Sequence, residues 1–273
     1  MKSVLRKGCL LLTAILVSAC ANKNSINPRD HYESFNRKSY RFNEGVDTLV
    51  YKPIAYTYSK VMPNRFQEAI THAYDNVYEL PTVANDLLQF RFIFALGDTA
   101  RFILNSTIGV LGIFDVAEKL GLPKHKNDFG LTLAYWSEQP KRYEYLDVPF
   151  LGPNTFRDTL GMFIDTAFLN PVSYIKPHWI PYAFYGGRLI TKRAELLPSD
   201  KMVQGAFDPY VFVRDAYMQN RDIQLDDTHL TYRQYQYKYL PPNVYDQHVK
   251  PMPSAVQSAD MNRANMPNRS LAN

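Results

Sequence analysis

The chain has 273 residues, of which 46% are hydrophobic and 14% aromatic, and its formal net charge is +5. When Lys2, Arg6 and Lys7 of a predicted signal peptide are subtracted from the 31 basic residues, 28 remain against 26 acidic residues. Charges this nearly balanced do not form the basic stripe that is typical of nucleic-acid-binding proteins, which excludes nucleic acid as a partner. The 20 tyrosines and 16 phenylalanines fit two settings, half-buried contacts or a membrane-interface belt.

The N-terminus has the pattern of a secretory signal peptide. A short positive region precedes the apolar run Leu10–Val17, which is too short to span a bilayer, and small residues follow it. The five residues ending at Cys20, LVSAC, resemble the bacterial lipobox, in which the chain is cut before the cysteine and the cysteine is lipidated. An ordinary signal peptide with a chance cysteine is the alternative. We predict a signal peptide over residues 1–19 and a lipid anchor on Cys20; because Ala21 rather than aspartate follows, we expect the outer membrane.

Catalytic and metal-binding patterns are absent from the sequence. Cys9 lies in the predicted signal peptide and Cys20 carries lipid, so no thiol remains for a disulfide, a nucleophile or a metal site. No two of the six histidines have metal-ligand spacing on a helix, and neither a G-x-S-x-G elbow nor a phosphate-binding glycine loop occurs. His125 and Asp128 form the one histidine–acid pair worth naming, interpreted as a solvated surface pair. We therefore predict no cofactor, no metal and no enzymatic activity.

The first part of the predicted secreted chain is a series of helices. Residues 20–34 are polar and are predicted to be a flexible tether to a helical domain over 35–240. From Phe35 the chain is amphipathic, with helical spacing from Phe42. Pro53 is expected to interrupt this helix, and a second helical piece to run to about Val61 and end at Pro63. Two helices are predicted next, over 65–77 and from Pro81 onward. The second has an apolar face of Leu80, Val83, Ala84, Leu87 and Leu88.

A helix over 94–105 leads into the apolar stretch 102–117, FILNSTIGVLGIFDVA. Its sixteen residues fall short of the about 20 that a membrane-spanning helix needs. Gly109 and Gly112 also disfavour an ideal core helix, since an interior glycine costs about 1 kcal/mol. Two interpretations follow: a buried core helix with a glycine bend, or a segment that lies in one leaflet of a membrane.

Residues 123–154 lack a period and are predicted to be a long loop with short extended pieces. Thr155 and Asp158 have capping-box spacing at the start of a helix that ends at Pro171. Further helices are predicted over 187–197 and from Asp208-Pro209 to about 223. Residues 241–273 are proline-rich and predicted to be disordered, and no segment shows sustained strand alternation, so the predicted class is all-α.

Several motifs, in this order and spacing, closely resemble the MlaA family, also called VacJ lipoproteins. The resemblance covers roughly residues 28–222, and no single motif is diagnostic. The motifs are FNR at 35–37, FN at 42–43, ELPTVANDLLQ at 79–89, RF at 101–102, NSTIG at 105–109, FDVA at 114–117, DFG at 128–130, TL at 132–133, LGP at 151–153, RD at 157–158 and DPY at 208–210.

The resemblance implies an all-α, ring-like bundle of amphipathic helices in the periplasmic leaflet of the outer membrane, beside a trimeric porin. It further implies a passive channel that lets mislocalised phospholipid leave the outer leaflet and reach a soluble periplasmic lipid carrier. The loop after Gly121 falls where the family has a gating hairpin. Here the turn at 135–143 is glycine-free and charged, unlike the glycine-rich turn of the family, so the resemblance leaves its conformation open.

Seven residues within the matching motifs are candidates for shaping the channel and its gate, although a packing or turn role is an equal alternative for each. They are Phe42, Asn43, Asn105, Gly109, Gly112, Phe129 and Gly130. Two other functions remain as alternatives. One is a structural lipoprotein that only anchors partners, and the other a lipid hydrolase that uses Ser106 or His125.

Overall fold

The computed structural model describes residues 27–248. The predicted signal peptide, Cys20 and residues 249–273 lie outside the described residues. The described part confirms the all-α class, because it contains twelve α-helices and a single sheet of only two short strands. The helices are α1 (Glu33–Val46), α2 (Lys52–Val61), α3 (Asn64–Leu88), α4 (Phe92–Thr107), α5 (Val116–Lys119), α6 (Phe129–Tyr135), α7 (Phe156–Ile164), α8 (Trp179–Leu196), α9 (Asp200–Gly205), α10 (Pro209–Asp227), α11 (Tyr232–Tyr239) and α12 (Pro242–His248). The strands are β1 (Tyr145–Val148) and β2 (Gly152–Thr155).

The expected break at Pro53 is wrong. A π-helical turn, Asp47–Tyr51, joins α1 to α2, and Pro53 lies in the first turn of α2. A proline is tolerated there, and the wider π turn lets the chain continue without a loop. The expected end of this segment at Pro63 is confirmed, since α2 stops at Val61 and α3 starts at Asn64.

The two helices predicted over 65–77 and from Pro81 onward are one 25-residue helix, α3, with Pro81 inside it. An interior proline costs about 3 kcal/mol, so something must offset this cost. Helix α3 packs along α4, its most extensive helix partner in the described part, and buries Pro81 itself. Tertiary packing therefore overrides the local signal.

The segment 123–154 is more ordered than predicted. Its extended pieces are confirmed as β1 and β2, which pair antiparallel with Tyr145 opposite Thr155 and Val148 opposite Gly152. Helix α6 was not expected; its N-cap is Asp128, whose carboxylate accepts from the backbone N–H of Leu131. The glycine-free turn that follows is held by Lys141, 2.7 Å from Asp226 of α10.

Both predicted unstructured ends are shorter than expected. Residues 27–34 belong to the predicted tether, yet Asp30 is fully buried and accepts hydrogen bonds from Tyr210 and Arg214 of α10. Helix α12 lies in the segment predicted to be disordered, and its Tyr245 is buried against Tyr237. In both places the local composition, polar and containing proline, favours disorder, but side-chain contacts with the folded domain order the segment.

A small apolar core lies where α6, β1 and α10 meet. Three tyrosines are part of it, and Tyr145 is fully buried. The cluster consists of Leu131, Ala134, Tyr143, Tyr145, Tyr210, Met218 and Leu225. Helices α3 and α4 contribute nothing to this cluster, so their packing must rest on other contacts.

Candidate lipid-facing surface and polar interior

Helix α3 buries its polar side. The residues that it hides from solvent recur every three or four positions, which places them on one face of the helix. Apart from Pro81, they are Asn76, Glu79, Thr82, Asn85 and Asp86. The predicted apolar face points the other way, since Leu87 and Leu88 are exposed. The apolar face that the sequence predicts is therefore not the buried side of the helix.

Helix α4 shows the same inversion, and α7 shares the exposed apolar side chains. On α4 the polar side chains Asp98, Arg101 and Asn105 are buried, whereas Phe92, Ile93, Leu96 and Ile103 are exposed. Apolar side chains of α7 and of the π-helical turn after it, Asp165–Leu169, are also on the outside. They include Leu160, Phe163 and Phe168. The segment after α4 adds exposed side chains at Ile108, Val110, Leu111 and Phe114.

Across the described residues, 25 buried side chains are polar or charged and 17 are hydrophobic. Water-soluble domains bury mainly apolar side chains, and large exposed apolar patches mark membrane or protein contacts. No helix in residues 27–248 combines the length and the apolar character needed to cross a bilayer. The exposed apolar surface is therefore formed by helices that do not span a bilayer and by the turns between them.

Hydrogen bonds satisfy much of the polar side of α3. Thr132 of α6 donates to Asn85 Oδ1 at 2.8 Å, and Gln89 Nε2 donates to Thr132 Oγ1 at 2.8 Å. Gln89 also donates to Asn127 Oδ1 at 2.9 Å, and Asn127 Nδ2 donates to Asp86 Oδ1 at 2.7 Å. Buried polar groups are costly only when unpaired, so this network allows the apolar side chains to face outward.

Arg101 joins α3, α4 and α5. Its side chain is 2% exposed and donates to Glu79 Oε1 at 3.0 Å, to Asp115 Oδ2 at 2.7 Å and to the carbonyl of Leu122. Burial raises the pKa of Glu79 to about 8, so this carboxyl is largely neutral at pH 7. The pKa of Asp115 is lowered, because the charge of Arg101 outweighs its burial. The main ion pair at this site is therefore Arg101–Asp115.

His125 is not in a solvated pair with Asp128, as the sequence suggested. It is 5% exposed, and its Nδ1 lies 2.9 Å from Asp98 Oδ2 and 3.5 Å from Asp86 Oδ2. Burial lowers the pKa of His125, but the hydrogen bonds with Asp86 and Asp98 prevail and raise it to about 9. Arg91 Nη1 lies 3.5 Å from the other ring nitrogen, so within residues 27–248 neither nitrogen is hydrogen-bonded to a hydroxyl nucleophile.

Asp86, Asp98 and His125 are also the group among the described residues that could hold a metal ion, since their ligand atoms lie within 4.8 Å of one another. Arg91 Nη1, 3.7 Å from Asp86 Oδ1, already supplies a positive charge to this cluster. A protonated His125 supplies a second one. The carboxylates therefore have cationic partners without a metal, and the absence of a metal stays a prediction.

The raised pKa values predict that stability falls in alkaline solution. A group with a raised folded-state pKa stabilises the fold fully below its unfolded-state pKa, and this contribution is lost as pH rises through the folded-state pKa. For Glu79 this interval runs from 4.5 to about 8, and for His125 from 6.5 to about 9. We expect the free energy of unfolding, measured by urea titration in detergent, to decrease from pH 6.5 to 9.

The variant Glu79→Gln should flatten this profile below pH 8, because glutamine cannot ionise but retains an acceptor for Arg101. The matched control is Glu138→Gln, since Glu138 is exposed in the turn after α6. A wild-type free energy of unfolding that is constant from pH 6.5 to 9 would contradict the assignment.

Residues 28–224 match the sequence profile of the family described as MlaA lipoprotein. The chain belongs to this family. A Shigella flexneri protein named intermembrane phospholipid transport system lipoprotein MlaA is 30% identical over 228 residues, 80% of this chain and 88% of that protein. An uncharacterised protein of Rickettsia prowazekii is 33% identical over 194 residues, 71% of this chain and 76% of that protein.

A solved structure agrees with this membership. That structure concerns the structural basis for maintenance of bacterial outer membrane lipid asymmetry. It superposes on this chain with a TM-score of 0.62 at 30% sequence identity. The superposition covers 72% of this chain and 98% of the solved chain. The predicted family and helical fold are thereby confirmed.

Two of the seven candidate residues from the MlaA motifs, Phe42 and Asn43, contact the β-hairpin. Asn43 Nδ2 donates to Asp147 Oδ1 at 2.6 Å and to the carbonyl of Val148 at 3.0 Å, and Asn43 Oδ1 accepts from the N–H of Phe150 at 2.7 Å. The Phe42 ring meets the Phe150 ring edge-on at 4.9 Å. These residues therefore attach the hairpin turn to α1.

Asn105, Gly109 and Gly112 shape the turn after α4. Asn105 Oδ1 accepts from the N–H groups of Val116 and Ala117, which fixes the start of α5. A Cβ on Gly109 would lie 2.3 Å from the carbonyl oxygen of Phe114, and Gly112 has a φ of +86°. Both glycines are required by the backbone. Bulky replacements there should disrupt the turn itself, so they are poor probes of a channel.

Phe129 and Gly130 lie in the first turn of α6. The N–H of Phe129 donates to Asp165 Oδ2 at 2.9 Å. Gly130 is buried where Arg221 of α10 joins Asp128 and Asp158, at 2.7 and 2.5 Å. A Cβ on Gly130 would lie 2.4 Å from Asp158 Oδ1. The structure thus gives these candidates positioning roles, and whether they border a channel stays a prediction.

The sequence interpretation missed the buried polar residues as a group. In α3 and its C-cap residue Gln89, the polar positions Asn76, Glu79, Thr82, Asp86 and Gln89 themselves have helical spacing. This polar periodicity is the signal that the sequence contains. It does not identify the buried side, because an apolar stripe on the opposite face is usually the buried one.

Proposed function

We propose that this chain is an outer-membrane lipoprotein that takes part in intermembrane phospholipid transport and so maintains the lipid asymmetry of that membrane. The inverted burial carries the proposal: α3 and α4 bury polar side chains, and α3, α4 and α7 all expose apolar ones. In water each exposed Å² of apolar surface costs about 25 cal/mol, whereas contact with acyl chains removes this cost. The name of the Shigella flexneri relative supports the same role.

The helices are proposed to lie within the periplasmic leaflet rather than to cross the bilayer. Helices α4 and α7, with 16 and 9 residues, are too short for a span. Amphipathic elements of this length bury one face in the acyl region and keep polar groups at the headgroups. A lipid on Cys20 would hold the domain at this surface.

Transport is proposed to be passive, through an amphipathic channel in the helical bundle. Phospholipid from the outer leaflet would enter beside a trimeric outer-membrane porin and leave to a soluble periplasmic lipid carrier. The β-hairpin is the proposed gate. Its attachment to α1 through Asn43 and Phe42 supports this role, because a change at either residue would alter the position of the hairpin turn.

The test is the phospholipid content of the outer leaflet in intact cells that lack this protein. We expect phospholipid exposed at the cell surface to rise on deletion, because lipid that reaches the outer leaflet is no longer removed. Wild-type protein should reverse the rise. Cys20→Ala should not, because it removes the anchor that keeps the protein at the membrane.

Immunoblots must show that both complementing proteins accumulate to equal levels. Unchanged surface phospholipid on deletion, in a parent strain that expresses the protein, would contradict the transport proposal and favour an anchoring lipoprotein. Turnover of labelled phospholipid by the purified protein would instead favour a hydrolase.

A further inference from the structure

A cluster of four cations lies where α3, α8 and the segment before α6 meet. We call this set, Lys124, Lys126, Arg188 and Lys192, the cationic cluster. Asp75 of α3 accepts close hydrogen bonds from both Lys124 and Arg188. On the neighbouring turn of α8, Lys192 Nζ lies 2.8 Å from Glu195 Oε2.

The positive charge of the cationic cluster exceeds the negative charge next to it. Four cations face two carboxylates, those of Asp75 and Glu195. Lys126 has no ion pair with any residue in 27–248 and lies exposed at the edge of the cluster. Although the residue as a whole is exposed, partial desolvation of its ammonium group and the charges of Lys124, Lys192 and Arg188 lower its pKa, so the fold holds like charges together.

Besides Lys126, the same cluster contains a second hydrogen-bond donor without an acceptor among the described residues. Arg188 uses Nη2 for Asp75, whereas its Nη1 is buried without a hydrogen-bond partner in the described part of the chain. A buried donor without an acceptor is destabilising, more so when the group is charged. The single carboxylate of Asp75 is shared by Lys124 and Arg188, so it does not offset the charge of both.

The surroundings of the cationic cluster suit an amphipathic molecule. The Arg188 guanidinium lies 5.7 Å from the ring centroids of both Tyr74 and Tyr78, and Phe184 packs edge-on against Tyr74 at 4.8 Å. On its other side, Lys126 borders a cavity of about 260 Å³ whose wall also includes Arg91. Cations therefore lie between an aromatic surface and open space.

We infer that the cationic cluster is a phosphate-binding site, in which Lys126 donates to a phosphate monoester or diester anion and the other cations of the cluster contribute the excess positive charge. The inference deepens the proposed transport function and rests on it for its natural source, the headgroup of a phospholipid. Free phosphate has the same chemistry and must be distinguished from it. Arginine and lysine together are the common donors for phosphate, and two charges of the cluster are available for it.

Binding should be measured with the full lipidated protein in detergent and two probes with the same labelled acyl chains. One is phosphatidylglycerol, which carries a phosphodiester, and the other is diacylglycerol, which carries none. We expect Lys126→Gln to weaken phosphatidylglycerol binding about tenfold, the loss of about 1.4 kcal/mol of binding free energy. Diacylglycerol binding should not change.

The double variant K126Q/K192Q should weaken phosphatidylglycerol binding further. Lys201→Gln is the matched control, because Lys201 is an exposed lysine on α9, outside the cationic cluster. Lys126→Gln should melt no lower than the wild type, because it removes repulsion and no ion pair. This comparison separates a binding defect from unfolding.

Competition by inorganic phosphate against labelled phosphatidylglycerol distinguishes free phosphate from a lipid headgroup as the ligand. Competition by phosphate in the wild type, lost in Lys126→Gln, would support the site and show that the phosphate group alone suffices. No competition, with the preference for phosphatidylglycerol over diacylglycerol retained, would support a site that requires the whole lipid.

Wild-type affinity in both Lys126→Gln and the double variant would overturn the inference, as would an equal loss for the two labelled lipids. If deletion of the protein still exposed surface phospholipid, the transport proposal would stand without this site. If deletion had no effect but the difference between the two labelled lipids held, the site would stand without the transport proposal.

Discussion

Replacing Arg101 by methionine is expected to lower the free energy of unfolding by about 3–5 kcal/mol, the usual result when one partner of a buried ion pair is removed. Methionine has a similar length but provides no donor. Asp115 would keep its charge with its cation gone, and Glu79 and the Leu122 carbonyl would lose their hydrogen bonds. Urea unfolding of the purified protein in detergent measures the change, and immunoblots of membranes report its effect on accumulation.

The control for Arg101→Met is Arg142→Met. Arg142 is exposed, and among residues 27–248 its side chain donates only to Gln139 Oε1, at 3.2 Å, so its loss should change stability by less than about 0.5 kcal/mol. A double-mutant cycle tests the pairing directly. In the Arg101→Met background, Asp115→Asn should cost less than it does alone, because its charge no longer has a partner. Equal stability of the Arg101→Met and Arg142→Met proteins would show that Arg101 does not join the three helices.

Replacing Gly161 by alanine is expected to destabilise the domain by about 1–3 kcal/mol, the range for an overpacked interior. Gly161 of α7 is buried against the start of α6, where a Cβ would lie 2.4 Å from the nitrogen and 2.9 Å from the Cα of Gly130. These neighbours are backbone atoms and cannot rotate away. Separation of α6 from α7 would also disturb the pairing of Arg221 with Asp128 and Asp158.

The matched control for Gly161→Ala is Gly186→Ala. A Cβ on Gly186, within α8, would meet no atom within 4 Å. Alanine is better than glycine in a helix by about 1 kcal/mol, so Gly186→Ala should leave the protein unchanged or slightly more stable. Thermal unfolding of the two variants under one condition gives the comparison. If both glycines tolerated alanine equally, the close approach of α6 and α7 would be contradicted.

Both predictions concern residues that hold short helices together through polar or backbone contacts. Apolar packing does less of this work here, because much of the apolar surface of α3, α4 and α7 faces outward. The ion pairs and the glycine contact thereby set the distances between helices. A domain built in this way can present an apolar surface to lipid without losing its internal order.

The sequence by itself determined the features that depend on neighbouring residues. Asp208 and Thr155 cap α10 and α7 as their spacing predicts, with side chains that accept from the N–H groups of Val211 and Asp158. Such caps lie within one turn and need no distant partner. The order of the short motifs was sufficient for the family, since they occur across most of the chain.

Only the tertiary structure decided which face of each helix is buried. Apolar periodicity on α3 shows that the helix has two faces, but water and lipid favour opposite orientations of them. The ion pairs that bury the polar side join residues far apart in sequence, as Arg214 and Asp30 do across 184 positions. Such contacts also order residues 27–34, whereas packing along α4 carries α3 through Pro81. No local pattern contains these partners, because they become neighbours only after the chain has folded.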